Sequence, residues 1–248
     1  MGSSPRLQRR LSSWLPEPAL RGVFVTGTGT EVGKSVVAAA IANTLSTAGR
    51  KVTVFKPAVT GLDDPGEADH ALLRRAAGSS QSDAEIAPYR YRPPASPHLA
   101  AEMAGEMIEP ERLRTAAAEA AAGGDVLVCE GVGGLLVPLA SRVRTPMSDK
   151  VDQPYLVRDL ALDLGLPLVI AASPGLGTIN HTLLTIEAAR SAGLEVVAVV
   201  LTPWPDQPSQ IEESNRDTIA SLGEVDVKTL PHLNLEDPTS WPSLPLGL

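Results

Sequence analysis

The chain of 248 residues predicts an α/β fold in three layers, a mostly parallel sheet with helices on both faces. Three observations predict it. A β-branched and aromatic run, Val23 to Thr26, passes through a glycine loop into the alanine-rich apolar run Val36 to Leu45. Short apolar runs then alternate with alanine-rich helical segments down the chain, the order that builds βαβ units. Hydrophobic residues make up 43% of the chain and aromatics only 3%. A core of Val, Leu, Ile and Ala suits a parallel sheet covered by helices better than a sandwich.

The first element carries the chemistry. Between strand and helix the chain reads Gly27-Thr-Gly-Thr-Glu-Val-Gly33-Lys34-Ser35, and strand, glycine loop and helix start arrive in the order a P-loop needs. Glycines let successive backbone N–H groups point inward, and the helix N-terminus adds partial positive charge. Lys34 is then placed to reach the β- and γ-phosphates, and the Ser35 hydroxyl to ligate Mg²⁺. The expected ligand is a nucleoside triphosphate, the expected fold that of the P-loop nucleoside triphosphatases.

Composition narrows the class further. A net charge of −8 argues against nucleic acid as a partner, since phosphate backbones are gripped by basic surfaces. The single cysteine, Cys129, excludes an intrachain disulfide and fits a reducing compartment. No apolar stretch reaches the roughly 18 residues of a membrane helix, so the expected setting is the cytoplasm, with no membrane partner. Residues 1–21 hold Arg6, Arg9, Arg10 and Arg21 against one acid, Glu17, and read as a disordered leader. Gly2 begins no myristoylation signal, because position 6 is Arg. Residues 22–248 are expected to form one domain, since one P-loop appears.

After the P-loop helix, Val52 to Phe55 reads as a strand ending at Lys56-Pro57, followed by Thr60-Gly61. Carboxyl ends of strands in open α/β sheets face the ligand crevice, so Lys56 should lie near Lys34, with an anion between the two charges. Asp63, Asp64, Glu67 and Asp69 form an acidic loop before a helix over His70 to Ala77, and Asp69 is the acid nearest the helix start. Tyr89 to Pro97 is proline-rich loop; Ser96 reads as an N-cap with Pro97 at the first helical position, and His98 as structural. Glu111 to Ala122 is a helix closed by Gly123-Gly124.

Val126 to Cys129 is the third strand, ending in Glu130-Gly131-Val132-Gly133-Gly134. An acid at that point resembles the Walker B arrangement, in which a carboxylate at a strand end reaches Mg²⁺, and the glycines allow close approach to a nucleotide. Cys129 reads as a small buried hydrophobe. Tyr155 to Leu164 is expected to be helix and Leu168 to Ala172 strand. Gly177 to Asn180 opens another helix, through Ala192, and so a second potential anion site, with His181 capping or packing. Val196 to Leu201, Ile211 to Leu222 and Val225 to Leu230 read as strand, helix and strand, and the tail from Pro231 as a wrapping loop.

Five segments together resemble the dethiobiotin synthetase family: Thr26 to Ser35, Lys56-Pro-Ala-Val-Thr-Gly61, Ser96-Pro-His98, Cys129-Glu-Gly-Val-Gly-Gly134 and Gly177-Thr-Ile-Asn-His181. The resemblance implies ATP-dependent carboxylation and ring closure of 7,8-diaminononanoate with CO₂, giving dethiobiotin, ADP and phosphate. It implies that Glu31, Val32, Gly33, Lys34, Ser35 and Val36 hold the phosphates together with Glu130, Gly131, Val132 and Gly133, and that Ser35, Asp69 and Glu130 hold Mg²⁺. Lys56 matches the family's carbamate-side lysine, with Lys34 opposite, and Thr30 and Glu31 fall near phosphates and diamine. Thr60 would contact the diamine, whose distant carboxylate would sit on Gly177, Thr178, Ile179 and Asn180 of the other subunit of a homodimer.

Two positions depart from the family. Where it has Asn-Asp, the Asn reading adenine, this chain has Thr202 and Pro203, and its Pro-Trp loop near the base is Pro231-His232-Leu233 here. Glu236 and Asp237 both remain open as the acid facing the ribose. A partitioning-type switch ATPase shares the fold, but its signature lysine early in the loop is replaced by Thr28 and Gly29. A glutamine-dependent synthetase would need a glutaminase domain with a nucleophilic cysteine, which the remaining length does not supply.

Overall fold

The structure is a computed structural model that describes residues 20–63, 66–143 and 153–246. Asp64 and all but the last two residues of the leader lie outside the described residues. The strands are β1 (Gly22–Gly27), β2 (Val52–Phe55), β3 (Val126–Gly134), β4 (Pro138–Val143), β5 (Gln153–Leu156), β6 (Leu168–Ala172), β7 (Val196–Trp204) and β8 (Val227–Pro231). The helices are α1 (Lys34–Thr47), α2 (Asp69–Ala77), α3 (Asp83–Ile86), α4 (Pro97–Met103), α5 (Pro110–Ala122), α6 (Val157–Leu164), α7 (Thr178–Ser191) and α8 (Gln210–Gly223).

Six strands form one sheet in the order β2-β3-β1-β6-β7-β8, and every neighbouring pair is parallel. Both faces are covered, so these strands are apolar throughout and sort their side chains by alternation. Val23 and Val25 of β1, Val52 and Val54 of β2, and Val169 and Ala171 of β6 pack under α1 and α2. Phe24, Phe55, Leu127, Cys129 and Ile170 point the other way, under α5 to α8. The expected layering is therefore present, and β1 sits at its centre.

Some boundaries differ from the sequence reading for identifiable reasons. β3 does not stop at Cys129; Glu130 pairs with Val25 of β1 and the strand runs on to Gly134, because the neighbouring strand still offers ladder partners. β7 likewise continues through Thr202 and Pro203 to Trp204. Tyr155, expected in a helix, lies in β5, antiparallel to β4, and α6 begins at Val157 after Asp159 Oδ2 accepts the Leu156 N–H at 2.8 Å. Ser96 is the N-cap residue of α4, yet its hydroxyl makes no capping bond. The tail forms a short 3₁₀ turn at Pro238–Ser240 and straps α1: the Asn43 amide donates to Pro238 O at 3.0 Å and Leu244 N to Thr44 Oγ1 at 2.9 Å.

The free edge of β2 is closed in a way that bears on the site. The Gln81 side chain acts as a strand surrogate, accepting from Val54 N at 2.9 Å and donating to Val54 O at 3.0 Å. Lys56 N then donates to Ile86 O at 2.8 Å, and Val59 exchanges bonds with Tyr89 O (2.9 Å) and Tyr91 N (2.8 Å). Satisfying these edge groups fixes the backbone that carries Lys56 and Thr60.

Candidate active site

The site forms where β1, β2 and β3 end. Five residues, Thr28 to Val32, separate Gly27 from Gly33, one more than the usual P-loop spacing. Glu31 takes up part of the extra length in the left-handed region, at φ 58. Gly33 is the N-cap residue of α1 at φ 84, and a Cβ on it would stand 2.5 Å from Thr202 Cγ2. Only glycine meets both demands. Lys34 curls back over the loop, its Nζ donating to Gly29 O at 2.6 Å. Burial lowers the Lys34 pKa, with Glu130 opposing the shift and Lys56 adding to it.

Four other side chains converge beside it. The Ser35 hydroxyl lies 2.8 Å from Asp69 Oδ1 and 2.8 Å from Glu130 Oε1. The Lys56 ammonium lies 2.5 Å from Glu130 Oε1 and 2.7 Å from Asp69 Oδ2. The anions expected between the two lysines are thus these carboxylates. Burial alone would lower the Lys56 pKa, but Glu130 and Asp69 outweigh it and the pKa rises. Burial pushes Asp69 up, and the Lys56 charge reverses this, so its carboxyl ends below the ordinary value. Glu130 is fully buried, and there burial prevails over Lys56 and raises its pKa. Beside it, burial pushes the Cys129 thiol well up, consistent with an inert core residue.

The oxygens are short of protons. Ser35 has one hydrogen for two carboxylate contacts, and Glu130 Oε2 is buried with no hydrogen-bond partner among the described residues. Hard oxygen donors in this arrangement match what a small divalent cation requires. Among the described residues no three His, Cys, Asp or Glu side chains form a metal cluster; the third donor of the expected set is the Ser35 hydroxyl.

A cavity of about 770 Å³ contains these groups and is also lined by Thr30, Glu31, Val36, Thr60, Val132 and Gly133. Pro94 to Pro97 also line it and were not among the expected site residues. The signal was present in Ser96-Pro97-His98, one of the five segments that resemble the family but given no site role there, and Ser96 keeps a hydroxyl free of capping. Gly131 does not line the cavity; a Cβ there would lie 2.9 Å from Val157 Cγ1 and 3.0 Å from Phe24 Cε1, so its smallness serves packing. Val32 is also outside the lining.

The remaining expected residues lie elsewhere. Thr202 is buried against Gly33, Pro203 and His232 are exposed, and Leu233 belongs to the core beneath α1. Asp237 is occupied in capping the 3₁₀ turn, accepting from Thr239 N at 3.2 Å. Gly177, at φ 91, is the N-cap residue of α7, and Gly177 to Asn180 stand outside the cavity of their own chain. Leu176 beside them is 97% exposed. His181 does not cap; with Leu136, Leu184 and the loop Gly27–Thr30 it lines a separate groove of about 480 Å³.

A glycine loop opening into α1, with an acid on the adjacent strand and two buried lysines, defines a P-loop nucleotide-binding enzyme. The AAA domain family matches residues 21–243. The chain is 38% identical over 203 residues to the ATP-dependent dethiobiotin synthetase BioD of Rhodococcus erythropolis, covering 82% of this chain and 84% of that protein. It is 40% identical to the enzyme of that name from Anaeromyxobacter dehalogenans, covering 77% and 81%, and 33% identical to that of Bacillus subtilis, covering 84% and 85%. The chain belongs to the ATP-dependent dethiobiotin synthetase family.

Proposed function

We propose that this chain, acting as one synthetase domain from residue 22 onward, forms dethiobiotin from 7,8-diaminononanoate, CO₂ and a nucleoside triphosphate in the 770 Å³ cavity. The observation that carries the reading is that Lys34 and Lys56 line one cavity together with Ser35, Asp69 and Glu130, to both of whose carboxylates Lys56 is paired. Ring closure needs two anions, a carbamate and a γ-phosphate, held in contact, which takes positive charge on both. Lys34 and the loop N–H groups serve the phosphate, and Lys56 serves the carbamate. Thr30, Glu31 and Thr60 line the space left for the diamine.

One amine attacks CO₂ and loses a proton, giving the carbamate. A carbamate oxygen displaces the nucleoside diphosphate from the γ-phosphorus. The second amine then attacks the carbonyl carbon and loses a proton, phosphate leaves, and the cyclic urea is complete. Ser35, Asp69 and Glu130 would hold Mg²⁺, a reading supported by Glu130 Oε2, which has no hydrogen-bond partner among the described residues; when bound the ion would neutralise phosphate charge and orient the phosphates.

The α7 N-terminus is read as the seat of the diamine's carboxylate, in the cavity of a second copy of the chain. Support comes from its position outside the cavity of its own chain and from the exposed Leu176, Leu184 and Leu136 nearby, apolar surface of the kind that subunits cover. The enzyme is taken to work in the cytoplasm, without nucleic acid or membrane partners. The test is phosphate release by purified protein given ATP, Mg²⁺, bicarbonate and the diamine. Release that requires the diamine and yields the cyclic urea by mass spectrometry is expected; release indifferent to the diamine but stimulated by DNA or lipid would assign a switch ATPase instead.

A further inference from the structure

We propose that Asn215 is a positioning residue for this reaction: from α8 it fixes the Ser173–Gly177 loop so that the α7 N-terminus is presented at the geometry the substrate carboxylate needs. The proposal rests on the reading of that terminus given above. Asn215 is 7% exposed, and its Nδ2 donates to Pro174 O at 2.8 Å and to Gly175 O at 3.2 Å. Both amide hydrogens are thus spent on a segment some forty residues away in sequence.

The position is one where the helix pattern calls for an apolar side chain. The buried residues of α8 are Asn215, Ile219 and Gly223, a strict four-residue stripe facing the core. A buried amide is tolerated there only because its hydrogen bonds compensate its desolvation. The compensation is directed at one loop. Gly175 O accepts from Thr178 N at 3.2 Å as well as from Asn215, so the same carbonyl ties the loop both to α8 and to the first turn of α7. Beyond that anchor, Leu176 projects almost fully into solvent and Gly177 turns at φ 91 to start the helix. The loop is therefore pinned at its base and free at its tip, and the direction of the first N–H groups of α7 follows from the pin. A binding site built from backbone donors has no side chain with which to correct a tilted helix end.

The test compares Asn215→Asp with Ile219→Ala. Asn215→Asp is nearly isosteric but removes both donors and sets a carboxylate against two carbonyl oxygens; Ile219→Ala damages the same stripe without touching the loop. The diamine KM of Asn215→Asp should rise about tenfold or more, the scale of losing hydrogen bonds to a charged group, with the nucleotide KM unchanged. Ile219→Ala should lower the melting temperature and leave the diamine KM alone. Should Asn215→Asp fail to accumulate, Asn215→Ser, which keeps a donor of shorter reach, is judged by the same split. An unchanged diamine KM in the Asn215 variant, while Asn180→Asp raises it, overturns the role of Asn215 and leaves the carboxylate site standing. Equal rises in both KM values also overturn it, as general damage. No diamine effect from Asn180→Asp would overturn the underlying reading of α7.

Discussion

Replacing Lys56 by Met tests the electrostatics of the site most directly. Lys56 is 3% exposed and Glu130 fully buried, with their charges 2.5 Å apart. Methionine keeps most of the apolar stem and deletes the charge, leaving Glu130 without its counter-ion. Breaking a buried pair from one side costs about 3–5 kcal/mol when the remaining charge stays ionised. Glu130 can limit that loss by taking up a proton, because burial already raises its pKa and the lysine that opposes the shift is gone. A carboxyl whose folded-state pKa lies above its unfolded value of about 4.3 binds more protons when folded, so stability falls as pH rises between the two values. In the wild type the raised Lys56 and lowered Asp69 pKa values act outside this window, the first only in alkali and the second only in acid. Urea unfolding at pH 5 and pH 8 should thus show a small loss for Lys56→Met at pH 5 and the larger one at pH 8. Added Mg²⁺ should raise the stability of the variant at pH 8, by about 2.7 kcal/mol at a hundred times its Kd. Equal losses at the two pH values, with no response to Mg²⁺, would refute the picture of an ion pair whose carboxylate is a metal ligand.

Three further outcomes follow from the same geometry. Glu31→Gly removes a non-glycine residue from φ 58; relief of about 1–2 kcal/mol exceeds the chain-entropy cost of about 0.5–1 kcal/mol, so thermal unfolding should shift slightly upward while diamine turnover falls, and a lower melting temperature would contradict the strain. Thr202 is buried against Gly33 and Pro203 has no N–H, so neither offers the paired amide that reads adenine; turnover with GTP, CTP and UTP should lie within about tenfold of ATP, and a preference of several hundredfold would show a reader elsewhere. Lys56→Ala and Asn180→Asp chains, co-expressed and purified through two tags, should regain up to about half of wild-type activity per dimer, whereas none in a dimer verified by mass spectrometry would mean each site is built within one chain.

What could be read in the sequence was what local chemistry determines. β2 and β6 fall on the expected residues because short β-branched runs flanked by breakers have one sensible reading. Lys56 was found because a strand end in a parallel sheet faces the crevice, and Asp69 because it stands at a helix start. The parts that were missed depend on pairing across the chain. β5 is four residues with a proline in it, and only β4 makes it a strand. Pro94 to Pro97 became a cavity wall because the preceding segment pairs with Val59, a contact no periodicity announces.

The proton count at the site was likewise beyond the motif. A P-loop serine, a strand-end glutamate and a nearby aspartate could each be named from spacing, but spacing says nothing of how their hydrogen-bonding capacity is met. The Ser35 hydroxyl and the Lys56 ammonium reach three of the four carboxylate oxygens, and among the described residues Glu130 Oε2 receives nothing. Glu130 faces the cavity beside Lys34 and Ser35, and it cannot become an apolar residue without leaving the Lys56 ammonium buried and poorly paired. The strand that holds it pairs with β1 on one side and β2 on the other, so the backbone cannot move to find a donor. In the proposed reaction, a cation supplied with the nucleotide would meet the unpaired oxygen and leave Lys56 free to serve the second anion, so that the two lysines would divide their work between phosphate and carbamate.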